Sequence, residues 1–564
     1  MMLHAVVMGD IGWPHLYHVG DEAMTEAAVH QLRARGIEKI TLVAADPDTA
    51  TTLYSVPAVP RFHFKLRWPR EWHDSHLKKV LAPLDGYERG TSPATTVFDA
   101  VHDADFVVIA GGGNLTSAYV HQMFERLALI RVARHFGRPV FVSSQTLDSA
   151  YQERDIPIIS EILDGADLFG LRESTSLAVA RALAVRDGTI CAVGDDGLLT
   201  TRSDLPVTIS DRLPERYMVA SFERPTWLAD EAVDGYYGSV ARALQAAAER
   251  LDCDVLLIPH AGSFDAEHPK DDIESHRAIA SHSARIRDLP LMRAAEVLGV
   301  MAPALCTVST RYHPLVFGAQ LELPMIGLAR TAYTWHRMRG AARQYGAEHH
   351  IMPIAVLEDP VAFAEVVEAT VASGDLARVV ASASRRRRAH QQSWWDEIVT
   401  RARMDVDGMT MSSAPSPLTA LDDPPSVPLP SAMKQFESLI GDESIARAEA
   451  EARADRLYIE FRRMNDLQEE SERQIREVTD RASRTADLLA RERREAERQA
   501  ASANTELSAA REELGSLEEK LQLAVAERDE WRRAARSFRS EVQRYRDRKT
   551  TRIVDGASRL FRSR

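Results

Sequence analysis

Up to about residue 395, short runs of consecutive apolar residues alternate with stretches whose apolar positions recur every three to four residues. Ala5–Met8, Lys39–Ala44, Phe106–Ile109, Val140–Ser143, Leu168–Gly170, Met218–Ser221, Val255–Ile258, Leu305–Val308 and Pro324–Leu328 read as strands. They are mostly apolar without alternating, the pattern of strands covered on both faces. Glu22–Arg35, Met123–Phe136, Ser174–Leu183, Tyr236–Leu251 and His276–Arg287 carry the helical period between them. Strand and helix in regular alternation predict an α/β fold with parallel sheets. Periodicity lapses over Pro206–Leu213 and a fresh strand begins at Met218, which predicts two doubly wound, Rossmann-like domains over residues 1–210 and 211–403. Ligands of such domains sit at the carboxyl ends of the strands, here in the cleft between the two.

The pattern then changes twice. Residues 404–432 are rich in Pro, Ser, Thr and Asp, as in Asp422-Asp423-Pro424-Pro425-Ser426, and predict a disordered or extended linker. Residues 433–548 contain no proline, and Phe461, Gln468, Ile475, Ala482 and Leu489 begin a seven-residue spacing that continues through Ala524, Trp531, Phe538 and Tyr545. Leu507, Leu514, Leu521 and Val542 follow a second track. Sustained heptads with charged flanks predict a coiled coil and self-association. Over residues 549–564 a basic amphipathic tail sets Lys549, Arg552, Arg559, Arg562 and Arg564 against the single acid Asp555. Such a tail suits peripheral contact with an anionic membrane surface.

A chain of 564 residues is too long for one ordinary core, in keeping with this division. The formal net charge of −13 argues against nucleic acid as a partner of the whole. Cys191, Cys253 and Cys306 show neither zinc nor disulfide spacing, and each lies among apolar residues as a buried thiol would. Met1–Asp10 reads as a first strand entering a loop, with no signal-peptide features, and no apolar run reaches the roughly 18 to 20 residues that span a bilayer. A cytoplasmic protein is expected.

Three segments carry candidate chemistry. Gly20-Asp21-Glu22-Ala23 opens a helix, where glycine allows tight backbone and early carboxylates suit the positive helix end. A plain helix start explains it equally well. Gly111-Gly112-Gly113-Asn114 follows a buried strand, and a loop of that kind exposes N–H groups to an anion. It is neither a dinucleotide fingerprint nor a P-loop. Arg311-Tyr312-His313 lies between a strand and an apolar helix. Arginine binds carboxylate or phosphate bidentately, and histidine transfers protons near neutral pH. In isolation such a pair is more often a satisfied surface pair than a site, and its place at a strand's carboxyl end makes the two readings about even.

Taken in order, these segments resemble the polysaccharide pyruvyl transferase family. The family pattern is Gly-Asn-x-Gly-Asp-Glu, a Gly-Gly-Gly loop, Leu-Arg-Glu-x-x-Ser, and Arg-x-His leading to a Val-Pro strand. Here the matching stretches are His18–Ala23, Gly111–Asn114, Leu171–Ser176, and Arg311–His313 through Leu323-Pro324. The resemblance covers about residues 1–395 and stops short of the linker and the coiled coil. It implies two domains arranged as in the B-type glycosyltransferases. The activity implied is transfer of a pyruvyl group from phosphoenolpyruvate to two hydroxyls of a glycan acceptor, forming a ketal. It implies His313 and Arg311 as catalytic residues, and Arg172, Gly111, Gly112, Gly113 and Asn114 around the donor. Asp21 and Glu22 would orient the acceptor or hold their loop. No metal or cofactor is implied, and His260, His268 and His276 lack ligand spacing.

The sequence departs from the family in three places. His18 replaces the asparagine, Ser143-Ser144-Gln145-Thr146 replaces a Gly-x-Gly-Pro, and the lysine of the last motif is absent from Tyr333-Thr334-Trp335-His336-Arg337, where Arg337 is the candidate to supply its charge. Two other readings stay open. One is a nucleotide-sugar glycosyltransferase with Glu348 or Glu358 on the ribose, the other a non-catalytic scaffold acting through its coiled coil.

Overall fold

The computed structural model describes residues 3–90, 96–148, 151–183, 189–211, 213–265, 267, 271–406, 421–428, 511–530, 532, 533 and 536. The first nine strands are β1 His4–Met8, β2 Tyr17–His18, β3 Lys39–Ala44, β4 Ala58–Pro60, β5 Phe106–Ile109, β6 Gly112–Leu115, β7 Val140–Leu147, β8 Leu168–Leu171 and β9 Ile190–Ala192. Without β2 they form a parallel sheet in the order β4-β3-β1-β5-β7-β8-β9, with β6 alongside β7. The remaining strands are β10 Tyr217–Ser221, β11 Asp254–Leu257, β12 Ala261–Gly262, β13 Ile286–Asp288, β14 Thr307–Ser309, β15 Met325–Ala329 and β16 Ile351–Pro353. They give a second parallel sheet, β13-β11-β10-β14-β15-β16, again without β12. The two parallel α/β lobes have the predicted class. The central strands are buried on both faces, as their unbroken apolarity requires.

Several elements differ from the sequence reading. The predicted His276–Arg287 helix runs from Asp272 to Ala280 instead, and Ile286 lies in β13, paired with Val255 of β11. Pairing with a neighbouring strand outweighs local helical pattern there. β4, β9, β13 and β16 are three residues long and sit towards the sheet edges, too short to carry a periodic signal. β2 and β12 pair antiparallel, His18 opposite Ala261, and so link the first βα connection of one lobe to the other lobe.

The Val19–Ala34 helix carries Asp21 and Glu22 in its first turn and Arg33 in its last, charges that complement its dipole. It stops at Gly36, whose φ of +82° lets the chain turn back so that Ile37 N–H donates to Leu32 O at 3.0 Å. The Gly374–Val406 helix spans both lobes. Its Leu376, Val380 and Ala383 pack with Met338 and Tyr345 of the second lobe, whereas Trp394, Trp395, Ile398, Val399 and Ala402 complete the core of the first. Residues from the 211–403 range therefore finish the 1–210 domain. Cys191, Cys253 and Cys306 are buried.

Within the predicted linker, residues 421–428 are extended and anchored. Val427 N–H donates to Gly346 O at 2.8 Å, and Arg387 donates to Asp423 at 2.6 Å. The chain divides into two compact units, Met1–Leu66 with Arg70–Glu449, and Arg67–Pro69 with Ala450–Arg564. In the second unit residues 511–530 are helical, and Leu514, Leu517, Leu521 and Ala524 of the heptad tracks are less exposed than most of that helix. Apart from residues 511–530, 532, 533 and 536, the predicted coiled coil lies outside the described residues, as does the whole basic tail. Among the described residues no helix is long and apolar enough to cross a membrane.

Candidate active site

His313 opens the His313–Gln320 helix just after β14 and packs onto the start of the Val19–Ala34 helix. A Cβ placed on Gly20 would lie 1.8 Å from His313 Nδ1, so the motif glycine is required by the imidazole beside it. The ring centroid is 5.4 Å from that of Tyr312 and 6.0 Å from that of Phe317. His313 Nε2 lies 4.0 Å from Asp195 Oδ1 and has no hydrogen-bond partner among the described residues. Burial, reinforced by Arg172 and Arg337, pushes its pKa well below the usual value. These surroundings favour the neutral imidazole over the charged one.

Arg172 follows β8 and is 1 % exposed. Its Nε donates to Thr146 Oγ1 at 2.5 Å and its Nη1 to Asp195 Oδ2 at 2.9 Å. Arg337, from the Ala332–Arg343 helix, stacks on Tyr312 with 4.6 Å between guanidinium carbon and ring centroid; Arg172 stacks on the same ring at 4.1 Å. A Cβ on Gly113 would lie 3.1 Å from Nη2 of each arginine. Two guanidinium groups therefore meet at Gly113, where a side chain would crowd them. Burial and the charge of Asp10 raise the Asp21 pKa, while His18, Arg172 and Arg337 pull it down.

The glycine run is not an open loop. Gly112–Leu115 forms β6 and pairs with β7, because Gln145 donates from Nε2 to Ala110 O at 2.6 Å and pins the entry to the run. Each glycine has its own surroundings. A Cβ on Gly111 would meet Met24 Sδ at 2.6 Å, whereas one on Gly112 would face Gln145, Arg126 and Asn114. Asn114 donates to Asp10 Oδ2 at 2.9 Å, and Asp10 Oδ1 accepts from Trp13 at 2.8 Å, Gln122 at 2.7 Å and Arg61 at 3.1 Å. Burial opposes the charge on Asp10, but Arg61 and Arg126 outweigh it and hold the carboxyl at about 2.

Two predicted site residues are committed to protein partners. Glu22 is 1 % exposed, accepts from Gly12 N–H at 3.2 Å and from the Tyr54 hydroxyl, and is pushed by burial to about 8. It ties the start of its helix to Gly12 and Tyr54. Arg311 Nε lies 3.2 Å from both oxygens of Asp272, its Nη2 also donates there, and Glu223 lies 3.9 Å from Nη1. Asp272 in turn accepts from the His260 and Ala261 N–H groups at 2.9 and 3.0 Å, so Arg311 braces the turn into β12. Glu348 is held by Arg343 and by Ser426 Oγ at 2.6 Å. Burial lowers His260 and His276 to about 4, and His268 lies outside the described residues. No metal-binding group of His, Cys, Asp and Glu occurs among the described residues.

Sequence reasoning passed over Asp195, which touches both Arg172 and His313, and Thr146, which orients Arg172. The stretch Gly194-Asp195-Asp196-Gly197 after β9 was the available signal for the first, and the polar Ser143–Thr146 run inside a buried strand for the second.

A family model described as polysaccharide pyruvyl transferase matches residues 18–331, from His18 to just short of Arg337. No curated protein matches the chain. Among solved structures, a putative UDP-N-acetylglucosamine 2-epimerase from Listeria monocytogenes is similar over 76% of this chain and 100% of its own, at 11% identity and a TM-score of 0.49. The UDP-GlcNAc 2-epimerase from Methanocaldococcus jannaschii is similar over 66% and 94%, at 12% identity and 0.45. The glycotransferase of kitacinnamycin is similar over 71% and 98%, at 13% identity and 0.42.

Proposed function

The chain belongs to the polysaccharide pyruvyl transferase family, and from that membership we propose that it moves the pyruvyl group of phosphoenolpyruvate onto two hydroxyls of a glycan or glycan precursor. The observation that carries this reading is the pair of guanidinium groups, Arg172 and Arg337, meeting at Gly113 beside the neutral imidazole of His313. Phosphoenolpyruvate carries a phosphate and a carboxylate on one small skeleton, and two convergent arginines suit such an anion. The resemblance implies a catalytic role for Arg311. Its ion pair with Asp272 fits a bracing role, with Arg172 and Arg337 as the donor ligands.

In the proposed reaction an acceptor hydroxyl oxygen bonds to the central carbon of the donor while the methylene carbon gains a proton and becomes a methyl group. The carbon–oxygen bond to phosphate then breaks, its electron pair leaving with the phosphate, and the second hydroxyl closes the ketal. Two hydroxyl protons are lost; one is balanced by the methyl group, and the other leaves on the phosphate. His313, uncharged at the outset, takes the first hydroxyl proton and passes it to the methylene carbon. Asp195 lies beside His313 Nε2 and stabilises the imidazolium between those events. Arg172 and Arg337 offset charge on the departing phosphate. The heptad segment is assigned to self-association and the basic tail to a membrane-linked acceptor.

The test is ligand-dependent stability. Phosphoenolpyruvate at a hundredfold excess over its dissociation constant should stabilise the protein by about 2.7 kcal/mol. Stabilisation by nucleotide sugars and none by phosphoenolpyruvate would replace this reading with a glycosyltransferase.

A further inference from the structure

On the face of β6 opposite Gly113 the missing side chain of Gly112 leaves room for a methyl-sized group, since consecutive strand residues face opposite ways. A Cβ there would lie 3.6 Å from Gln145 Oε1 and 3.8 Å from both Arg126 Nη2 and Asn114 Nδ2. Gln145 and Arg126 are 0 % and 1 % exposed. Among the described residues neither Gln145 Oε1 nor the Nε and Nη2 of Arg126 has a hydrogen-bond partner. Leaving such groups unsatisfied is costly, and more so where charge is involved. The amide orientation is fixed by chemistry: Nε2 donates to Ala110 O at 2.6 Å and Ser143 O at 3.3 Å, carbonyls that only the nitrogen can serve. Arg126 is anchored by Nη1, which donates to Gln122 O at 3.2 Å and Gln122 Oε1 at 2.7 Å.

The gap therefore presents one buried acceptor and one buried donor. A carboxylate or phosphate oxygen would be repelled by Gln145 Oε1, and an alkyl group would leave both partners unpaired. A hydroxyl satisfies both, accepting from Arg126 and donating to Gln145. We propose that Arg126 and Gln145 form a slot at Gly112 that recognises one hydroxyl of the acceptor sugar, an assignment that rests on the pyruvyl-transfer reading for the sugar. Donor and acceptor then bind beside adjacent glycines, the anion at Gly113 and the hydroxyl at Gly112.

Gly112→Ala is the clean probe. The added methyl meets its neighbours at ordinary contact distances and the backbone there is not left-handed, so the fold is kept. Arg126→Met is the second probe, since Asp10 retains Arg61, Trp13, Gln122 and Asn114. Binding of the methyl glycosides of galactose, glucose and mannose to the full chain is measured by calorimetry, with phosphoenolpyruvate titrated in parallel. At least one glycoside should bind the wild type and bind both variants about tenfold or more weakly, the worth of one good hydrogen bond. Phosphoenolpyruvate affinity should fall much less than glycoside affinity does. Unchanged glycoside affinity in both variants, or no glycoside binding to the wild type, overturns the slot and leaves the gap to an ordered water. Phosphoenolpyruvate affinity falling together with glycoside affinity overturns it in favour of the donor. Lost glycoside binding in the variants, with no phosphate release by the wild type, would keep the slot and sink the pyruvyl-transfer reading. Phosphate release with variant glycoside binding intact would do the reverse.

Discussion

Gly20 and His313 share a space that has no room for one more carbon. Alanine is favoured over glycine inside a helix by about 1 kcal/mol, so on propensity alone Gly20→Ala would stabilise. The methyl would have to sit 1.8 Å from His313 Nδ1, and overpacking of that kind costs about 1–3 kcal/mol. The clash should win: Gly20→Ala is expected to lower the thermal transition and to reduce turnover by more than about tenfold as the imidazole shifts. A variant as stable and active as the wild type would show that His313 has no fixed position to lose. This contact also explains why the motif was legible in the sequence while its reason was not. Gly20 and His313 are nearly 300 residues apart, and the β2–β12 pairing, with Val19 and Ala23 packed in one cluster with Phe317, brings the lobes together there.

Among the elements, strands with four or more apolar residues in sequence were readable because burial on both faces writes itself into every position. The three-residue edge strands and the β2–β12 pair were not, since their pairing comes from a partner elsewhere in the chain. The same holds for Asp195, Arg126 and Gln145, polar residues whose meaning lies in what they meet. The Gly374–Val406 helix was not among the helices read from the sequence, and its bracing of both lobes depends on partners far away in the chain. Its Trp394 is fully buried, donates to Ser143 Oγ at 3.0 Å and fills the space over Gly170, while Gln391 donates to Ser144 Oγ at 2.9 Å. Trp394→Ala should therefore destabilise by about 3–5 kcal/mol, measured by denaturant unfolding. A loss below about 1 kcal/mol would mean that the helix end is not part of the first lobe's core.

At the scale of the whole molecule, buried titratable groups pull stability in opposite directions with pH. Burial is the largest influence in lowering His4, His121, His260, His276, His313 and His350, and in raising Glu22 to about 8 and Glu26 and Asp196 to about 6. Below about pH 6.5 the unfolded chain takes up protons on the histidines that the folded chain refuses, so acid costs stability. The raised carboxyls, with Asp21, Glu173, Glu223 and Asp423 among them, act the other way, favouring the folded state as pH falls and offsetting part of what the histidines lose. Between about pH 6.5 and 8 Glu22 still acts, and rising pH weakens the fold slightly as its carboxyl is ionised in the unfolded chain alone. The thermal transition should peak near neutrality and fall towards pH 5; a transition that climbs on acidification would contradict these burials. The two lobes matter to function only if they hold donor and acceptor across one site, and that claim has a direct measurement. The full chain is incubated with phosphoenolpyruvate and a cell-derived glycan pool, and inorganic phosphate is followed together with the mass of the glycans. The account predicts phosphate release that depends on the glycans, matched by a carboxyl-bearing ketal on the product and abolished in Arg337→Met. Phosphate release indifferent to glycan, or glycans left unmodified while phosphoenolpyruvate persists, would contradict it.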